Sequence, residues 1–196
     1  MTNPLRGIAP TELRPGEDPV ARFVAEVEAV QGTLAHSDAA GLAHAVTTAV
    51  VDASARRVAL TADLGAAREG LLTALRAAGV DAAPYEDLVP HRDRIAALEA
   101  TVTGCQAAVA ATGSILTGGA SGRAGALVAP THICVVERGR LVDGLLDLMR
   151  RAPAVGASAL ALQSGPSRTA DIEKTLVLGM HGPKRVHVVL LDGALG

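Results

Sequence analysis

Apolar residues at Val20, Phe23, Val24, Val27 and Val30 recur at the spacing of one helix face, which predicts a helix over residues 18–35. Ser37-Asp38 offers an N-cap for a second helix running to about residue 53. Residues 57–60 are a short buried-strand candidate, and 63–78 return to helical spacing, stopped by Gly79 at the C′ position. Residues 80–83 read as a second strand and 88–100 as another helix. The pattern then changes. Residues 102–127 are rich in Gly, Thr and Ser, with brief apolar runs at 107–111 and 115–116, and predict short strands and loops. Residues 133–136 and 186–191 are near-continuous apolar runs, as expected of strands covered on both faces. Between them, 142–151 reads as a helix, 157–163 as a strand and 169–178 as a helix.

Strands alternating with helices predict an α/β fold with a mainly parallel sheet and flanking helices. No repeat of about 20 to 50 residues occurs, so a solenoid is excluded. A chain of 196 residues suits one domain with a real core. Residues 1–17, interrupted by Pro4, Pro10 and Pro15, read as a flexible N-terminal arm ahead of a single domain over 18–196.

Composition narrows the function. A hydrophobic fraction of 49% and a mean hydropathy of +0.31 fit a globular chain. Phe23 and Tyr85 are its aromatics, so the core must be built from small aliphatic side chains and no stacking platform for bases exists. With a net charge of -2 and no basic run, nucleic-acid binding is not expected. No apolar stretch approaches the roughly 20 residues needed to cross a bilayer, and the N-terminus lacks the apolar region of a signal peptide. The expectation is a cytoplasmic protein with no membrane span. Cys105 and Cys134 sit in apolar sequence and read as buried small hydrophobes. An iron–sulfur cluster needs about four thiolates, so these two cysteines cannot ligate one; the cofactor, if there is one, stays unassigned.

The chemistry concentrates in residues 164–183. Ser164-Gly165-Pro166-Ser167-Arg168-Thr169-Ala170-Asp171-Ile172-Glu173-Lys174 is closed by Met180-His181-Gly182-Pro183, and both lysines of the chain, Lys174 within it and Lys184 directly after it, fall here. Read as strand, turn, helix and returning strand, it predicts a βαβ unit with the turn at the carboxyl end of its strand, where open α/β sheets place ligands. A helix N-terminus there suits an anion, with Arg168 as a planar donor. An equally simple account makes Ser167 or Thr169 an N-cap and Asp171 and Glu173 complements of the helix dipole. Those carboxylates oppose a bound anion, which would need Arg168, Lys174 or His181 to offset them.

A second segment, Thr112-Gly113-Ser114 followed by Gly118-Gly119-Ala120-Ser121-Gly122-Arg123, offers backbone N–H groups and the Arg123 charge to a ligand, or is a hairpin loop. It is neither a P-loop nor a G-x-G-x-x-G. Of the histidines, His36, His44 and His91 read as solvated and His187 as a satisfied core residue, whereas His132 and His181 are site candidates. No pair has zinc-ligand spacing and no G-x-S-x-G elbow exists, so no metal site is expected.

Gly165-Pro166-Ser167-Arg168-Thr169-Ala170-Asp171-Ile172-Glu173 with Gly179-Met180-His181-Gly182-Pro183 closely resembles the C-terminal signature of the LUD domain, found in bacterial lactate-utilisation proteins. Thr112-Gly113-Ser114 resembles the family's Thr-Gly-Thr, Pro130-Thr131-His132-Ile133 its Pro-x-x-His-Ile, and Phe23-x-x-Glu26 its opening, so the resemblance spans about residues 20–192. Within that family the chain resembles the stand-alone type, lactate-utilisation protein C. Ala111 stands where the family often has an acidic residue, and Ser114 keeps the hydroxyl of the second Thr. The resemblance implies a Rossmann-like sandwich similar to the sugar-phosphate isomerase and CoA-transferase group. It also implies a part in oxidising L-lactate to pyruvate beside iron–sulfur partner subunits. The alternative is a stand-alone enzyme or sensor for a phosphorylated or nucleotide-like small molecule. Either way, the expected site is shared between Thr112–Ser114, His132 and the turn at Gly165, and is not a self-contained motif.

Overall fold

The computed structural model describes residues 11–118, 124–151, 159–170, 176–178 and 182–195, with 168–170 and 176–178 described as backbone. Its centre is a six-stranded parallel sheet. In chain order the strands are β1 (Thr33–Asp38), β2 (Arg57–Leu60), β3 (Asp81–Pro84), β4 (Ala100–Thr103), β7 (Thr131–Glu137) and β12 (Arg185–Asp192). They lie in the order β1-β12-β7-β4-β2-β3. The apolar runs of β7 and β12 sit at the middle of this sheet, paired from Arg185↔Thr131 to Leu191↔Glu137.

Alternation along these strands makes two different faces. Ile133, Val135, Val189 and Leu191 pack against Val46 and Val50 of α2 (Leu42–Asp52) and Leu72 and Leu75 of α3 (Ala67–Ala77). Cys134, Val136, Val188 and Leu190 turn the other way, toward Phe23 and Val27 of α1 (Pro19–Ala29). That second side is also covered by a small mixed sheet of β5 (Ala107–Val109), β6 (Ser114–Thr117), β8 (Leu141–Val142) and β9 (Ala161–Gln163), in the order β8-β5-β6-β9. The short helices α4 (Tyr85–Leu88), α5 (Arg92–Ala96) and α6 (Ala124–Leu127) and the longer α7 (Leu145–Arg151) are the other α-helices among the described residues. The α/β class with a mainly parallel sheet and flanking helices is as expected.

Three local expectations differ. The first helix ends at Ala29, because Gln31 takes a φ of 66° and a side chain at Gly32 would meet Val27 Cγ1 at 2.8 Å. Residues 33–38 are therefore a strand, and Asp38 does not cap α2 directly: it accepts from Gly41 N at 2.7 Å in the connecting turn. The helix expected over 88–100 breaks into α4, α5 and the start of β4. Pro90 cannot continue a helix from α4, and Glu99 is drawn to β2 by accepting from Arg56 N and Arg57 N at 2.7 and 3.0 Å.

The third difference matters most. The helix expected over 169–178 is a β-hairpin of β10 (Arg168–Ala170) and β11 (Leu176–Leu178), with Thr169 opposite Val177. Ten mixed residues satisfy either period, and the cross-strand pairing of Thr169 with Val177 decides for strands here. The βαβ reading falls with it, since β9 and β12 belong to different sheets.

Residues 11–17, read as part of an arm, touch the body: Leu145 N donates to Thr11 O at 3.1 Å, and Leu13 packs beside Phe23 and Val27. Among the described residues no helix is long and apolar enough to cross a membrane.

Candidate functional site

His132 is the second residue of β7 and fully buried, on the face turned toward the small sheet. Its Nδ1 lies 2.8 Å from Gln163 Oε1 and its Nε2 2.8 Å from Thr103 Oγ1. A carboxamide oxygen only accepts, so Nδ1 carries the proton and Nε2 accepts from the Thr103 hydroxyl. Burial pushes the imidazole down to about 4, against a smaller opposing effect of the Gln163 bond, and the ring is neutral at pH 7. His132 therefore joins β4, β7 and β9 and ties the small sheet to the large one. Thr101, fully buried and level with His132 in the β4–β7 register, has no partner for its hydroxyl among the described residues.

Gln163 ends β9, and the turn that follows carries a chain of hydroxyls. Ser164 Oγ lies 2.5 Å from Ser114 Oγ, which lies 2.7 Å from Thr112 Oγ1. Gly113, between the last two, has a φ of 62°, and a Cβ there would stand 2.7 Å from Val27 N. Gly165, after Ser164, has a φ of 75° and a Cβ there would stand 2.6 Å from Val30 O. Both glycines are thus required where the chain presses on the C-terminal half of α1 and the residue after it, rather than to let a ligand approach. Pro166 is buried, and Ser167 N donates to Pro183 O at 2.8 Å, which binds the turn to the segment entering β12.

Beside this turn is a cavity of about 330 Å³ lined by Leu127, Leu162, Gln163, Gly165, Ser167 and Pro183 among others. Its volume suits a small metabolite, and its walls are apolar with an amide and a hydroxyl. Gln163 spends its side-chain oxygen on His132. The cavity lies at the amino ends of β7 and β12, since residues 127 and 183 precede those strands, and not at the carboxyl edge expected from a βαβ unit. Nor is there a helix N-terminus at Ser167 or Thr169 to hold an anion.

Charge near the hydroxyl chain comes from α1. The Arg22 guanidinium pairs with Glu17 at 2.9 Å and Glu26 at 2.8 Å and reaches Ala111 O at 3.5 Å. Its Nε is buried without a partner among the described residues. Ala111 itself is buried, with its N–H on Asp143 O at 3.1 Å.

The fold thus brings Thr112, Ser114, His132, Gly165, Pro166 and Ser167 into one region. Arg168 and Thr169 enter the hairpin, described there as backbone, while Arg123, Asp171 and His181 lie outside the described residues. Sequence reasoning missed Thr103 and Gln163 and gave Ser164 no role. The alternation Thr101-Val102-Thr103 and the lone polar residue closing the apolar run before Ser164 were the available signals. Cys105 and Cys134 are buried as expected, and burial pushes the Cys134 thiol well up. His187 is half-buried rather than satisfied: its Nδ1 meets Thr33 Oγ1 at 2.7 Å while Nε2 has no partner among the described residues. A separate cavity of about 310 Å³ between β2, β3 and α5, floored by Ala83, Leu88 and Leu98, contains none of the expected residues.

Residues 20–191 match the LUD domain. The chain is 32% identical over 164 residues to a Deinococcus radiodurans protein named Lactate utilization protein C, covering 80% of this chain and 71% of that one. A Bacillus subtilis protein of the same name is 34% identical over 77 residues, 36% of this chain and 32% of that one. The crystal structure of a DUF162 family protein from Deinococcus radiodurans shares the fold, with a TM-score of 0.65 at 23% identity over 89% of this chain and 96% of that one. With a family match running from α1 to the end of β12 but one residue, the chain belongs to the LUD domain family.

Proposed function

We propose that this chain acts in lactate utilisation as a non-iron–sulfur subunit, taking part in the oxidation of L-lactate to pyruvate together with iron–sulfur partner proteins. The observation that carries the reading is the cavity at the signature turn, where Gln163, Gly165, Ser167 and Pro183 enclose a space of about 330 Å³. Family membership and the name shared by several relatives supply the metabolic setting. Oxidation of the hydroxy acid releases two electrons and two protons, and a chain with two cysteines cannot ligate the cluster that would take the electrons. In this reading the cavity holds the small carboxylate, with Ser167 as a donor and the Thr112–Ser114–Ser164 hydroxyls behind the turn. Arg123, Arg168, Asp171 and His181 are kept as candidates for the ligand's charge and for proton transfer on the strength of the sequence.

The test is growth on L-lactate as sole carbon source after deletion of the gene, with glucose as control. Loss of growth on lactate alone, restored by the wild-type chain and poorly by Ser167→Ala, is the expected result. A deletion strain that grows on lactate at the parental rate sinks the reading and moves weight to the stand-alone binder. Affinity-tagged chain from lactate-grown cells should also co-purify with proteins showing iron–sulfur absorbance.

A further inference from the structure

On the other face of the sheet, across the starts of β7 and β12, two adjoining cavities of about 340 and 270 Å³ share Ala53, Thr131 and Arg185 and so form one groove. It lies against the C-terminal end of α2. Alternation separates it from the cavity just described: Thr131 belongs to the groove and His132, its neighbour in β7, to the opposite face. We propose that this groove binds a small phosphate monoester with a hydroxyl-bearing body, its phosphate on Lys184 and Arg185 and its body toward Asp52 and His187.

The two ends of the groove differ in charge. Lys184 and Arg185 are consecutive and exposed, and Lys184 has no ion-pair partner among the described residues. Their backbone N–H groups both donate to Pro130 O, at 2.7 and 3.1 Å, which fixes the segment that carries them. Thr131, buried in the floor, and Ser54 add hydroxyls. Glu99 also lines this end, but its charge is committed: Oε2 accepts from Arg56 N and Arg57 N, and Oε1 from Arg57 Nη2 at 2.8 Å. Two adjacent cations match a dianion better than a monocarboxylate, which would leave one of them uncompensated.

The other end rejects an anion. Asp52 and the carbonyl end of α2 are acceptors, and Arg185 Nη1 covers only Ala53 O, at 3.4 Å. Hydroxyl groups of a ligand body suit these acceptors. His187 lines the same end, its Nδ1 held by Thr33 Oγ1, and closes the wall beside Asp52. A ligand with its anion at one end and its hydroxyls at the other answers both halves.

The experiment uses the full chain in thermal-shift and calorimetric titrations at constant ionic strength. The probes are glycerol 3-phosphate, inorganic phosphate and glycerol. Glycerol 3-phosphate should stabilise saturably at millimolar concentration, inorganic phosphate several-fold more weakly, and glycerol not at all. Lys184→Ala/Arg185→Ala should weaken binding at least tenfold. Lys184→Gln, which removes one exposed charge, keeps the test valid if the double variant is unstable, and should weaken binding several-fold. Asp52→Asn should narrow the preference for glycerol 3-phosphate over inorganic phosphate. Absence of saturation, or undiminished binding by Lys184→Gln, overturns the proposal. Displacement by excess L-lactate also overturns it, because it assigns the ligand to the His132-side cavity; lactate-dependent growth tests that other site separately.

Discussion

The two faces of the central sheet solve different problems with the same strands. Toward α2 and α3 the middle of the face is aliphatic, with Val46, Val50, Leu72, Leu75, Ile133, Val135, Val189 and Leu191 each buried, and polar Thr131 and His187 lie only at the starts of their strands. Toward α1 and the small sheet, Thr101, Thr103 and His132 are buried among the aliphatics. The first face needs only volume, and dispersion and water exclusion stabilise it without regard to direction. The second needs partners at stated atoms, and it uses them to fix β9 and the turn after it. Stability and placement are therefore separable in this domain. The largest expected effect tests the first half of that claim. Leu75→Ala, at a fully buried position, should cost about 2–5 kcal/mol of unfolding free energy in a urea titration. Thr103→Val, which keeps the volume and removes the hydroxyl that His132 Nε2 accepts from, should cost clearly less; equal costs would break the comparison.

Acid should attack the two faces unequally. The folded-state value of His132 is lowered to about 4 from an ordinary value near 6.5, so the fold favours the neutral ring. Its contribution is present in full above about pH 6.5 and is lost as pH falls from there toward 4. Protonation would also replace the Nε2 acceptor by a second donor facing Thr103. The loss over this window is on the order of 3 kcal/mol; His187, on the α2 side, is lowered in the same direction by partial burial but is only half-buried. His132→Gln should be less stable than the parent at pH 7 but lose less between pH 6.5 and 4.5. Parallel pH profiles of parent and variant would remove His132 from the account of the second face.

Glycines sharpen the comparison at the next smaller scale. Gly113 and Gly79 both have positive φ, 62° and 80°, but a Cβ at Gly79 meets nothing within 4 Å, whereas one at Gly113 meets the backbone of α1. Gly79→Ala should cost about 1 kcal/mol, the conformational penalty alone. Gly113→Ala should cost about 1–3 kcal/mol and also loosen Ser114 and Ser164, seen as faster amide exchange in the turn. Equal costs would show that α1 yields and does not brace the site.

What the sequence revealed follows the same division. The aliphatic face announced itself: β7, β12, α2 and α3 were legible because a buried parallel strand and an amphipathic helix are patterns of hydrophobicity. The grouping of Thr112–Ser114, His132 and Gly165 was legible as residue chemistry and family likeness, and the fold brings those residues together. The partners were not. Thr103 and Gln163 meet His132 from 29 and 31 positions away, and no local pattern encodes a contact made by packing one sheet on another. The hairpin at Arg168 was misread for a related reason: ten mixed residues carry a helical period as well as a strand period, and only the cross-strand pairing of Thr169 with Val177 decides.

The smallest effect isolates the hydroxyl chain from the histidine bridge. Ser114→Ala removes the middle of the Thr112–Ser114–Ser164 chain, yet Thr112 is only half-buried and Ser164 is exposed, so water can replace what each loses. The net cost should be about 1 kcal/mol or less. Gln163→Leu, one residue from Ser164, instead strands the His132 Nδ1–H in a site sealed from water and should cost about 1–3 kcal/mol. If the hydroxyl chain serves a ligand rather than the fold, Ser114→Ala will leave the urea midpoint nearly unchanged while impairing complementation on lactate. Gln163→Leu will lower both. A Ser114→Ala protein that is stable and complements fully assigns the chain to neither role, and leaves the second face to be explained by the Thr103–His132–Gln163 bridge alone.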